Sequence, residues 1–224
     1  MDLAALQLSV RLATLTTAAL VVVGLPLAHW IAFSRRRWRF LVEAVVALPI
    51  VLPPTVLGFY LLLGFGPQGA LGRAWEAVMG SRFPFSFAGL LTASILYSLP
   101  FAVQPFAAAI AGVDPKLIEA SHALGASPLR TFFRVTLPLA WHGIVAGAVL
   151  AFAHTLGEFG VVLMVGGNIA GRTRTLSISL FDQVEALEYG AAHQTAALLL
   201  ALSFAVLTLV DALQRRPSLQ WTGR

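Results

Sequence analysis

Lys116 is the only lysine in the chain, and Leu117 follows it. The phosphate-binding loop of an ATPase needs a lysine followed by Ser or Thr, because the ammonium reaches the phosphates while the hydroxyl holds magnesium. Without that pair, any energy from ATP must arrive through another subunit. The other notable group is Glu158, an acid within a long apolar stretch, with His154 four residues before it. On a helix this spacing puts both on one face, where a His–Glu pair could lock helices together or hold a gate; an acid inside a membrane is a functional candidate by default. Two ligands without a third make no metal site, and His29, His122, His142 and His193 are scattered. Cysteine is absent, which excludes disulfides and thiolate metal sites. No convergent nucleophile and base are visible, so no catalytic residue is expected.

The elements that position these groups follow from composition. Of 224 residues, 58% are hydrophobic and 11% charged, against roughly 25% charged in a soluble domain. So little charge cannot cover a core against water, so lipid must solvate much of the surface. An all-α polytopic membrane protein is expected, because a spanning helix needs about 20 apolar residues and five segments supply them. These are 12–33, 43–65, 85–110, 142–165 and 191–213. Met1-Asp2-Leu3 lacks the positive region of a signal peptide, so the first run reads as a retained membrane helix. With the Arg35–Arg39 loop inside, ten Lys and Arg lie inside and five outside, which puts the N-terminus outside and the C-terminus in the cytoplasm. The net charge of +5 sits in short runs beside apolar segments, not in an aromatic-interleaved basic stripe, so no nucleic-acid partner is expected.

Prolines interrupt two of the spans: Pro49, Pro53 and Pro54 in the second, Pro100 and Pro105 in the third. A proline frees a backbone carbonyl that lipid cannot satisfy. Pro53-Pro54-Thr55 is therefore either a packing kink or part of a translocation path, as broken helices are in transporters.

Between spans three and four, residues 111–138 form a long cytoplasmic loop with two helix starts. Asp114 is an N-cap with Pro115 at N1, and Ser127 is an N-cap with Pro128 at N1. Gly125 stands where the first short helix must stop. Leu117, Ile118 and Leu124 are its apolar face, while Lys116, Glu119 and His122 are polar. The expectation is a helix–turn–helix knob projecting from the membrane as a docking surface. Within it, Glu119-Ala120-Ser121, Gly125, Val135 and Leu137-Pro138 have the spacing Glu-Ala-Ala, three residues, Gly, nine residues, aliphatic, one residue, Leu-Pro. This resembles the EAA loop of ABC importer permeases, with Ser121 and Val135 as the two departures. The resemblance implies a type I ABC importer permease fold over one transmembrane domain, 1–224, in a prokaryotic cell (inner) membrane. It also implies that the loop seats in a groove of a partner ATPase. Glu119 either touches that ATPase or merely favours the positive helix N-terminus; Gly125 and Pro138 shape the loop.

The stretches Leu48–Tyr60, Thr155–Gly160, Met164–Ile169 and Gly171–Leu176 are similar to the molybdate permeases, and sulfate and thiosulfate permeases share parts of them. That likeness implies import of molybdate or tungstate, with sulfate as the alternative. The implied partners are two ATPase subunits that use ATP and magnesium, a second copy of this chain, and an extracytoplasmic molybdate-binding protein. Arg172 and Arg174 either steer an anion toward the mouth or simply solvate a loop. An ion-gradient transporter would call for paired intramembrane acids in repeated halves, whereas Glu158 is the only central acid and no repeat is visible. Gly125→Asp is expected to abolish co-purification of the ATPase while leaving membrane insertion intact; normal co-purification would contradict this account of the loop.

Overall fold

Asp2 starts the first helix, α1 (Leu3–Phe33), by accepting a hydrogen bond from the Ala5 N–H at 2.9 Å. The computed structural model describes residues 2–214; Arg215, Arg216 and Arg224, counted as cytoplasmic above, lie outside the described residues. Helix α1 begins nine residues before the apolar segment taken from the sequence. Arg11 ends the charge-free run but not the helix, because its guanidinium rests over the Phe87 ring, 4.7 Å from the centroid.

The second span is not one helix. Helix α2 (Arg39–Val51) and α3 (Pro54–Phe65) meet at an angle of 111°. Each proline pushes the residue before it out of the helical region. Accordingly Leu52 (ψ 135°) and Pro53 (ψ 135°) are both extended, and Pro54 opens α3 at N1. Among the described residues, four helices are long and apolar enough to cross a membrane, or five if this bent pair is one span. A short helix not expected from the sequence, α4 (Ala70–Met79), follows. Ser86 then caps α5 (Phe87–Ala111), the third span.

The loop after α5 differs from the knob expected. Helix α6 (Pro115–Ala123) stands apart, but α7 (Pro128–Thr131) continues through a π turn (Phe132–Thr136) into α8 (Leu137–Gly157). The fourth span thus runs as one helix over Pro128–Gly157, not from His142 to Val165. Pro138 explains the π turn. A proline clashes with the carbonyl four residues back, and the wider turn, in which Leu137 N–H bonds to Phe132 C=O, makes room for it. Beyond α8 come α9 (Gly160–Gly166), α10 (Leu176–Glu185) and α11 (Tyr189–Gln214). Residues 176–185, expected as outer loop, form α10 because Thr175 caps it and its first turn is buried.

Helix α5 is packed between α1 and α8 at the heart of the fold. Phe106, fully buried, fills the contact. A Cβ on Gly24 of α1 would lie 3.3 Å from Val103, and one on Gly147 of α8 would lie 2.9 Å from the Phe106 ring and 3.0 Å from Pro105. One turn earlier, a Cβ on Gly143 would meet Ala109 at 2.5 Å. Gly143 and Gly147 form the small-residue spacing that lets membrane helices approach closely, where packing rather than hydrophobicity drives association. One apolar cluster, including Leu20, Ile31, Phe106, Ile110 and Ile144, lies toward the 111–138 loop. A second, including Leu12, Leu61, Phe83, Leu90 and Val162, lies toward the opposite end.

Gly147→Val is expected to force α5 and α8 apart at a cost of about 1–3 kcal/mol. The check is a lowered unfolding midpoint in detergent, against Gly190→Ala, where an added methyl meets nothing within 4 Å.

Candidate functional site

Two regions gather the residues singled out from the sequence. The first is the 111–138 loop. Asp114 Oδ1 accepts from the Lys116 N–H at 2.9 Å, and Ser127 Oγ accepts from the Arg130 N–H at 3.3 Å, so both expected caps form. Pro115 and Pro128 occupy the first helical positions behind them. Gly125 has φ +80°, and its N–H bonds to His122 C=O while Ala126 N–H bonds to Ser121 C=O. That pair of bonds is the Schellman stop, which requires a left-handed residue at this position.

Ser121, where the family pattern has alanine, lies 2.9 Å from Thr131 Oγ1 and ties α6 to the second helix. Ile118 turns toward the apolar cluster of Leu20, Ile31 and Phe106 and anchors α6. Leu117 lines a groove with Val113, Asp114, Leu139 and Gly143. Glu119 and Ala120 are exposed, Leu137 is half-buried, and Leu124 at the tip is 89% exposed. A rigid, capped, anchored element that leaves a bare leucine at its apex is built to be covered by something else.

The second region lies where two helices break. Helix α8 stops at Gly157, and Glu158 is extended (φ −65°, ψ 133°) before α9 starts. This overturns the expected helical His154–Glu158 pair, since the break takes Glu158 off the face that His154 occupies. The two residues instead line one cavity of about 620 Å³ with Pro54, Thr55, Tyr97 and Gly160. Pro53, also singled out, is the residue that caps α3 and is not in the lining. The two breaks touch: a Cβ on Gly160 would lie 2.8 Å from Pro54 Cβ, so α3 and α9 begin at the same place.

His154 is held firmly. Its ring stacks on Phe101 with centroids 3.7 Å apart and lies 5.0 Å from the Tyr97 ring. Thr155 Oγ1 donates to Ala151 C=O, and Ser98 Oγ lies 2.8 Å from Thr155 Oγ1 and 3.0 Å from His154 Nδ1. Since the Thr155 proton is used on the backbone, Ser98 donates to Thr155 and accepts from His154 Nδ1–H. Nε2 is then the ring's remaining polar atom. Glu158 contrasts with it: the residue is 4% exposed, and its carboxyl group is sealed in the protein with the buried Ser94 hydroxyl beside it.

Sequence reasoning missed Tyr97, Ser98 and Thr155. The available signal was a run of hydroxyl groups in otherwise apolar spans. Of Arg172 and Arg174, the two arginines expected on the outer side, Arg174 is committed locally. Its Nε donates to Asn168 Oδ1 at 2.6 Å, and its Nη2 lies 3.3 Å from Asp182 Oδ2. Arg172 remains exposed.

Comparison with known proteins agrees with this geometry. Residues 21–219 match the model of the binding-protein-dependent transport system inner membrane component. The chain is 52% identical over 206 residues to the molybdenum transport system permease protein ModB of Azotobacter vinelandii, covering 92% of this chain and 91% of that one. It is 38% identical to ModB of Escherichia coli K12, over 81% of this chain and 79% of that protein. Identity to the sulfate transport system permease protein CysT of the same organism is 33%, over 87% and 70% respectively. The fold matches a chain of a bacterial ABC transporter involved in alginate import with TM-score 0.77 at 17% identity, covering 96% of this chain and 79% of that one. It also matches the inward-facing MetNI methionine ABC transporter with TM-score 0.70 at 18% identity, covering 96% and 97%. With its loop spacing, its broken spans and its near full-length relatives in agreement, this multi-pass membrane chain belongs to the family of binding-protein-dependent transport system inner membrane components.

Proposed function

We propose that this chain is the permease subunit of an ATP-driven importer that carries molybdate, or its close analogue tungstate, across the cell membrane. The observation that carries the substrate is the 52% identity to a molybdenum permease over nearly the whole of both chains, against 33% to a sulfate permease. In this reading two copies of the chain enclose the path, two ATPase subunits hydrolyse ATP with magnesium, and an extracytoplasmic molybdate-binding protein delivers the oxyanion. The exposed apolar residues of α2 and α3, including Val51, Phe59 and Tyr60, fit a second copy or lipid as their cover. The N-terminus lies outside and the C-terminus inside, as the Lys and Arg distribution supports.

Coupling follows from the loop. Closure of the ATPase pair moves the groove in which α6 sits. Because Ser121 bonds to Thr131 and α7 runs unbroken into α8, that motion passes into a membrane helix. Leu124 at the apex fits a pocket of the ATPase. Its substitution by Asp is expected to weaken ATPase association about tenfold or more, as loss of a central interface anchor does, read as the ATPase concentration needed to restore transport.

The substrate test is ATPase activity of the whole complex in proteoliposomes with its binding protein alone or with molybdate, tungstate or sulfate. Stimulation that requires molybdate or tungstate is expected. Stimulation by sulfate instead would move the chain to the sulfate importers, and failure of any ATPase to co-purify would end the importer reading.

A further inference from the structure

Helix α1 and the start of the fourth span leave between them an apolar groove that neither the loop nor the helix breaks account for. It has a volume of about 730 Å³, and its walls include Val22, Pro26, Leu129, Phe133 and Leu137, with His29 as the one polar side chain. Both walls are irregular here. Pro26 interrupts α1, and the π turn widens the helix that faces it, so regular ridges cannot interlock and a space remains. The groove is open to its surroundings: Val22 is 72%, Leu129 69% and Phe133 56% exposed.

Depth and charge together say what fills it. Both walls belong to membrane spans, and the His29 ring meets the Phe132 ring with centroids 4.8 Å apart, which sets the two in register. From Val22 to His29 the groove follows about 10 Å of α1 and ends one turn before α1 does, at Phe33. Positive charge gathers at that end. Arg35, Arg36 and Arg37 follow α1, while Arg130 and Arg134 each stand one residue beyond a wall residue, Leu129 and Phe133. All five are exposed, and none forms an ion pair among the described residues. No acid lines the groove, and its other end, at Val21 and Leu137, is apolar. An apolar trough with cations at one end matches a molecule with hydrocarbon tails and an anionic head. A second copy of this chain is a poor match. A two-fold axis along the membrane normal keeps depths equal, so basic end would meet basic end. An ATPase outside the membrane does not reach the depth of Val22.

We infer that this groove is a binding site for an anionic phospholipid, with an acyl chain along Val22, Pro26 and Phe133 and the phosphate held by Arg130, Arg134 and the arginines that follow α1. A guanidinium fork suits phosphate oxygens, and its long stem lets it reach the headgroups from a helix position set deeper in the lipid. Basic pockets between membrane helices select anionic headgroups in this way. The site requires only that the chain spans a membrane, and it holds whichever anion is imported.

For the test, the complete complex with its ATPase and binding protein is stripped of lipid in detergent. It is then titrated with phosphatidylglycerol or phosphatidylcholine, and the lipids retained are counted by native mass spectrometry. Phosphatidylglycerol should be retained at roughly twentyfold lower concentration, about fivefold for each of two arginines near the headgroup. The Arg130→Gln, Arg134→Gln double variant should remove most of that difference. Arg73→Gln, an exposed arginine toward the opposite end of the molecule, should leave it unchanged. Val22→Phe fills the groove from an exposed position and keeps every charge. It should weaken phosphatidylglycerol retention about fourfold or more, the worth of one methylene displaced from its contact. Equal retention of the two lipids, or an unchanged preference in the double variant, would overturn the site. Unchanged retention in Val22→Phe would overturn its placement in the groove. Separation of that variant into single permease copies, with lipid retention intact, would make a second copy the occupant instead. Loss of the ATPase from the double variant with its lipid preference intact would give the two arginines to that subunit, and the proposal would fall.

Discussion

Everything in this fold must answer to one constraint: a helix that stops inside lipid strands backbone groups that lipid cannot satisfy. Two helices stop, at Val51 and at Gly157. The structure resolves the problem by putting the breaks together, with Gly160 against Pro54 and Gly58 against Met164, so that α3 and α9 run side by side from a shared origin. The freed backbone then faces protein and the cavity that Thr55, Tyr97 and His154 help to line. The glycines are what permit this, because any side chain at Gly58 or Gly160 would occupy space already filled by Met164 or Pro54.

The remaining helices make a frame stiff enough to hold that arrangement. Phe106 wedged between α1 and α8, with glycines opposite it, fixes three long helices by close packing. The span from Pro128 to Gly157 gives the frame its mechanical sense. At about 1.5 Å per residue it is roughly 45 Å long, with the capped loop at one end and the Glu158 break at the other. A single element with few joints therefore connects the neighbourhood of α6 to the cavity. The π turn at Phe132–Thr136 is the one irregularity in it, and it sits where the loop joins the span.

The end of the molecule away from the 111–138 loop is organised by polar bonds. Leu176 N–H donates to Ser9 Oγ at 2.8 Å, which pins the start of α10 to α1. Arg174, Asn168 and Asp182 form a network that closes the turn before α10. Arg174 thus belongs to the architecture of this end, and its charge is largely answered by Asp182.

The sequence alone determined that the chain lives in lipid, that it has about five spans, and where the capped loop at 111–138 starts and stops its helices. It did so because those properties are local: a run of apolar residues, an Asp-Pro or Ser-Pro helix start and a glycine stop each act over a few neighbours. It also placed Pro53, Pro54, Thr55, His154 and Glu158 under suspicion one at a time. Only the tertiary structure decided that α2 and α3 turn by 111°, that α7 is the beginning of the fourth span, and that Glu158 leaves its helix. Whether an apolar run continues straight or folds back depends on what is there to receive its free backbone groups. Pro54 receives Gly160 across more than a hundred residues of chain, a relation between distant surfaces that no local pattern encodes.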